Sequence, residues 1–133
     1  MYLFDTNIFL EVFLDQERAG ACKKYLAMAK PESCGWITSF STHALEVILE
    51  RAGKEEALEK FLAALTHDRS LMRYETSLEE ELEIIRLTKE ISLDFDDALQ
   101  FYVARKKNLT LVTLDRDFAR AKGIRVLSPR TDI

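Results

Sequence analysis

Short β-forming runs alternate with longer amphipathic stretches along the whole chain, and that alternation leaves few folds open. Tyr2-Leu3-Phe4 is a brief apolar, aromatic run of strand character that ends in Asp5-Thr6-Asn7, residue types suited to turns and helix caps. Ile8, Val12 and Phe13 then continue one helical face. Residues 17–30 bring Ala21, Tyr25, Leu26 and Ala29 to helical spacing, with Pro31 as the expected stop. Gly35-Trp36-Ile37-Thr38 reads as a second strand, followed by a helix over 42–51 that carries Leu45, Ile48 and Leu49 and is closed by Gly53. A further helix is expected over 54–66, and Leu71-Met72-Arg73-Tyr74 forms a third strand. Helices over 78–90 and 95–107, a strand over 109–113, a short helix over 115–122 and a strand over 124–127 complete the pattern. Strands separated by helices predict an α/β fold: a parallel, five-stranded sheet covered on both faces and joined by right-handed crossovers.

With 133 residues and no repeat, linker or low-complexity tract, the chain is expected to form one domain over 1–133. Hydrophobic residues at 47% and charged residues at 32%, with 4 Gly and 2 Pro, exclude a disordered chain. No apolar run approaches the roughly 20 residues that span a bilayer. Met1-Tyr2-Leu3-Phe4-Asp5 lacks a basic region followed by a long apolar stretch, so no signal peptide is expected and the anticipated location is cytoplasmic. Cys22 and Cys34 are too few and too far apart for a zinc or redox motif, and free thiols are expected.

A net charge of −4 weighs against nucleic acid as a partner, because phosphate binding rests on Lys and Arg. The distribution answers the objection: with Asp5, Glu46, Asp97 and Asp115 set aside, acids and bases balance. Ligands of open α/β sheets bind beyond the carboxyl ends of strands, which is where Asp5 and Asp115 stand. Each alone is equally well read as the N-cap of the helix that follows. Asp97 lies in the first turn of its helix among apolar neighbours and is expected to face inward, whereas Asp94 and Asp96 read as exposed or capping acids. Glu46 sits between Leu45 and Val47, where a solvated helical residue is the simpler reading. Taken together, four acids at strand ends or early in helices can converge, and cations would offset their mutual repulsion.

The set Asp5-Thr6-Asn7, Glu46, Asp97-Ala98-Leu99 and Thr113-Leu114-Asp115-Arg116-Asp117-Phe118 resembles the PIN-domain nucleases, particularly the small VapC-like toxins of toxin–antitoxin pairs, over nearly the whole chain. The resemblance implies a three-layer α/β/α sandwich and an acidic site of Asp5, Glu46, Asp97 and Asp115 holding one or two Mg²⁺ or Mn²⁺ ions. Thr6, Asn7, Thr113 and Asp117 map to supporting positions, and Asp117 reads equally as a fifth acid or a helix-dipole partner. It further implies a homodimer, a cognate antitoxin protein and metal-dependent hydrolysis of RNA. The alternative is a PIN-like module that binds RNA or protein without cutting. Arg116, Arg120, Lys122 and Arg125 could contact phosphate, although a solvated basic face is an equal reading. His43 and His67 lie in different expected helices without a Ser or Cys partner and are read as surface or packing residues. Acyl-phosphate chemistry is disfavoured: Asp5-Thr6-Asn7 is not Asp-x-Asp, and no Lys follows the last strand in Ser128-Pro129-Arg130.

Overall fold

The computed structural model describes residues 1–29 and 34–129, without the side chain of Arg120. Its elements run β1 (Tyr2–Phe4), α1 (Thr6–Phe13), α2 (Ala19–Ala27), β2 (Gly35–Thr38), α3 (Ser39–Arg51), α4 (Glu55–His67), β3 (Leu71–Tyr74), α5 (Leu78–Ile91), α6 (Phe95–Lys107), β4 (Thr110–Val112), a 3₁₀ turn (Arg116–Arg120) and β5 (Arg125–Leu127). The expected helix stop at Pro31 lies outside the described residues. The five strands form one sheet in the order β3-β2-β1-β4-β5, and every pairing is parallel.

Side-chain alternation along the strands divides the interior into two cores. Leu3, Trp36 and Leu111 face α5 and α6, where Ile84, Leu99, Phe101 and Val103 are buried together with Phe118 of the 3₁₀ turn. Their strand neighbours Phe4, Ile37 and Val112 face the opposite way, onto Ile8, Phe9, Cys22, Leu45 and Leu49 of α1, α2 and α3, with Leu58 and Phe61 of α4 behind them. The result is three layers, with α1 to α4 on one face and α5 and α6 on the other.

Local chemistry sets the helix ends. Ser77 and Glu80 form a reciprocal capping box at α5, and Asn108 closes α6 in the left-handed conformation at φ 55°. Glu80 also accepts from Lys106 Nζ at 2.7 Å and from the Tyr74 hydroxyl at 2.5 Å, tying α5 to α6 and β3. Gly35 is required at β2 by close approach: an added Cβ would lie 2.7 Å from Ala29 Cβ and 2.9 Å from the Ser70 carbonyl.

The chain builds β1, β2 and β3 outward, then returns to place β4 on the other side of β1. The strand order therefore reverses between β1 and β4, and the crevice at their carboxyl ends is the place where such sheets bind ligands. No helix among the described residues is long and apolar enough to cross a membrane.

Candidate active site

Asp5 follows β1 directly and caps α1, its Oδ1 accepting the Thr6 N–H at 2.8 Å. Asp5 N–H in turn donates to the Val112 carbonyl at 3.0 Å, so the carboxylate is anchored to β4 as well. Oδ2 accepts from the Thr113 hydroxyl at 2.8 Å and from Asn7 Nδ2 at 3.4 Å. Thr113 Oγ1 is also an acceptor, taking N–H groups from Asn7 Nδ2 at 3.3 Å and from the Asp115 backbone at 3.0 Å. Asn7 Oδ1 accepts the Leu114 N–H at 3.2 Å. Asn7 and Thr113 thus lock the ends of β1 and β4 together, and Asp5 is fixed with little freedom to turn.

Asp115 caps the 3₁₀ turn, Oδ1 accepting the Asp117 N–H at 2.9 Å, and Asp97 approaches from the first turn of α6. One carboxylate oxygen each from Asp97, Asp115 and Asp117 lie within 4.8 Å of one another. A cleft of about 200 Å³ is lined by Asp5, Thr6, Asn7, Asp96, Asp97 and Asp115, together with Leu10, Phe40 and Gln100. No Lys or Arg is among those lining residues.

That combination shifts protonation. Burial pushes Asp5 up to about 6, against the hydrogen bonds from Thr113 and Thr6, and the charges of Asp115 and Asp96 add to the rise. Asp97 is pushed up to about 7, first by burial and then by the negative charges of Asp115, Asp96 and Asp5, with a hydrogen bond to Asp115 that holds the proton. Near neutrality the cleft therefore retains protons that ordinary carboxylates release.

Glu46 is on α3. It does not line the cleft, and its Oε1 lies 3.1 Å from His43 Nδ1 on α3. Asp96, read from sequence only as an exposed or capping acid, is exposed and accepts the Asp97 N–H at 3.0 Å, yet it also lines the cleft. Asp94 occupies the N-cap of α6 without a side-chain cap bond. Sequence reasoning missed Ser41 and Gln100 as well. Ser41 Oγ lies 2.7 Å from Thr6 Oγ1 and accepts Gln100 Nε2 at 2.7 Å, joining α3, α1 and α6 beneath the acids. Their signal is a polar residue at a position where helical spacing demands an apolar one: both are buried, and Gln100 falls one turn after Asp97. Arg125 lies at the other end of the sheet, in a cleft with Met1 and Asn108, away from the acids.

The chain is thus a parallel α/β protein whose switch point opens, among the described residues, into a cleft lined by four aspartates and no Lys or Arg. Residues 2–124 match the PIN domain family, and the chain belongs to that family. Among solved structures it is similar to a toxin–antitoxin complex from Klebsiella pneumoniae, with 25% identity and a TM-score of 0.74 over 97% of this chain and 98% of that one. VapC20 of Mycobacterium tuberculosis, described as a sarcin–ricin loop cleaving toxin, shares 21% identity at a TM-score of 0.77 over 95% and 98% of the two chains. VapBC2 of Rickettsia felis, bound to a promoter DNA fragment, shares 20% identity at 0.71 over 96% and 97%. No curated protein matches the chain significantly.

Proposed function

We propose that this chain is a divalent-metal-dependent endoribonuclease acting as the toxin of a toxin–antitoxin pair. The observation that carries the reading is the convergence of Asp5, Asp97 and Asp115 on one cleft that no Lys or Arg lines among the described residues. Hard oxygen donors of this kind suit Mg²⁺ or Mn²⁺, and the raised proton affinities of Asp5 and Asp97 express the same unmet demand for positive charge. One or two cations held there would lower the pKa of water and offset charge on the scissile phosphate.

The chain's own residues supply the rest. Asn7 and Thr113 hold Asp5 at a fixed angle, and Thr6 through Ser41 joins its helix to α3. Asp97, whose carboxyl is pushed up to about 7, and Asp115 would be among the groups that hold a cation, and Asp97 would release its proton to do so. Asp117, whose carboxylate is grouped with theirs, supports the rim of the site. Of the two histidines, His43 is engaged with Glu46 rather than with a hydroxyl or thiol, so hydrolysis through water is favoured over a protein nucleophile.

The antitoxin reading is supported by the Klebsiella complex and by an apolar cleft of about 290 Å³ lined by Phe9, Val12, Phe13, Leu26, Phe61 and Leu65, which suits an apolar side chain of a partner protein. A homodimer is supported by Leu78, Leu82 and Ile85, which expose 81%, 50% and 46% of their surface at successive turns of α5. The decisive test is cleavage of labelled RNA with Mg²⁺ or Mn²⁺ titrated in and an EDTA control. Asp97→Asn is expected to lower the rate at least about 100-fold, because losing a ligand costs no less than losing its support. Fragments that persist in EDTA, or that the variant produces at the parent's rate, overturn the assignment, and RNA retention without fragments instead marks a binding module.

A further inference from the structure

Gln100 is among the largest fully buried side chains, with 1% of its surface exposed, and it lines the acidic cleft. Its two amide atoms are treated differently. Nε2 donates to Ser41 Oγ at 2.7 Å, while Oε1 is buried with no hydrogen-bond partner among the described residues. Buried polar groups are nearly always paired, so a carbonyl left over beside a cluster of carboxylates points to a missing donor.

The surroundings fix which donor. Ser41 Oγ also accepts from Thr38 Oγ1 at 3.2 Å, which directs its own proton to Thr6 Oγ1 at 2.7 Å. With Nε2 and the Thr38 hydroxyl donating to it and its own proton on Thr6, Ser41 offers nothing to Gln100 Oε1. Of the polar residues lining the cleft with Gln100, Thr6 is engaged with Ser41 and Asn7 Nδ2 with Asp5 and Thr113, while Asp5, Asp96, Asp97 and Asp115 when ionised accept and do not donate. Water coordinated to a divalent cation is a strong donor, and Mg²⁺ in particular keeps several waters when protein carboxylates bind it.

We propose that Gln100 is a positioning residue of the acidic centre, its Oε1 accepting a hydrogen bond from a water molecule in the hydration shell of the cation held by Asp5, Asp97 and Asp115. A neutral acceptor suits this place, since it orients water without adding a further negative charge to a cleft already lined by four aspartates. The inference rests on the metal reading above, and its test separates the two.

Mn²⁺ binding is measured from the paramagnetic resonance signal of the free ion, without RNA. Gln100→Met keeps the volume and removes the acceptor; its dissociation constant for Mn²⁺ is expected to rise about tenfold, as for other outer-shell partners, with its metal-free melting temperature and circular dichroism held as controls. Gln100→Glu keeps an oxygen acceptor and is expected to bind at least as tightly as the parent. Equal affinity in Gln100→Met and the parent overturns this proposal alone, whereas a parent that binds no Mn²⁺ overturns the metal reading and this one with it. A second measurement needs no variant: Mg²⁺ added to the parent protein is expected to shift the Gln100 side-chain amide resonance together with the backbone amides of Asp97 and Asp115. Backbone shifts without a Gln100 shift overturn the proposal even where Gln100→Met fails to fold.

Discussion

Asp5 and Asp97 hold their protons to about 6 and about 7, far above the ordinary carboxylate range of about 4. A folded-state pKa raised above the unfolded one means that the native protein binds more protons than the unfolded chain. The resulting stability is complete below about pH 4 and is lost as pH rises through about 6 and about 7. Glu80, lowered to about 2 by Lys106, Tyr74 and Ser77 against the opposing effect of its burial, acts in a different window: its contribution is present above about pH 4.5 and lost toward pH 2. Between pH 5 and pH 8 the metal-free protein is therefore expected to lose melting temperature through the two aspartates, and Mg²⁺ to restore it at pH 8 with release of protons. Calorimetry in two buffers of different ionisation heat measures that release; a pH-independent uptake without protons would contradict the coupling. Glu46 provides the contrasting case, since it is not among the residues lining the cleft and its carboxylate contacts His43 at 3.1 Å. Glu46→Gln is expected to weaken Mn²⁺ binding and RNA cleavage by less than about tenfold, an order of magnitude short of Asp97→Asn. Equal losses in the two variants would show that Glu46 turns into the site when it is loaded.

The ends of elements, more than their middles, carry the function. Phe4 is buried on the α1 side of the sheet, and the residue after it, Asp5, begins a helix, so one residue step converts a core strand into a presented carboxylate. The same step at β4 runs from Val112 through Thr113 to Asp115. Such presentation depends on the strands lying at their observed spacing, and Gly35 controls this at β2. Gly35→Ala would force a Cβ to 2.7 Å from Ala29 Cβ and 2.9 Å from the Ser70 backbone oxygen, atoms that have no flexible side chain to move aside. A loss of about 1–3 kcal/mol is expected in urea unfolding, with an unchanged slope against denaturant. A variant as stable as the parent would show that β2 shifts freely against α2 and the loop before β3.

At the scale of the molecule, the two helical layers do different work. The layer of α1 to α4 carries Asp5's helix and an apolar cleft, while the layer of α5 and α6 carries Asp97, Gln100 and the exposed stripe of Leu78, Leu82 and Ile85. Three apolar side chains exposed in line on one helix are an unusual surface for a monomer. Leu82→Glu with Ile85→Glu is expected to halve the mass measured by light scattering while leaving the melting temperature of the isolated subunit and its Mn²⁺ affinity close to the parent's. A parent that is already monomeric at high concentration would remove the dimer from the account.

The alternation of strand and helix was legible from the first residues, because short apolar, aromatic runs such as Tyr2-Leu3-Phe4 and 3.6-period stripes such as Leu45, Ile48 and Leu49 are written locally. So was the presence of acids at strand ends: Asp5 and Asp115 carry capping chemistry and site chemistry in the same residue, and spacing alone left both readings open. Tertiary structure decided which acids meet. Asp97 and Asp96 belong to α6, which reaches the ends of β1 and β4 only after the chain has crossed the sheet and returned, so no sequence distance records their approach. The same packing set Glu46 beside His43, buried Gln100 with one amide atom unpaired, and moved two aspartates toward neutral titration. Burial and electrostatic coupling are properties of what surrounds a group in space, and a chain written in one dimension fixes them only once it has folded.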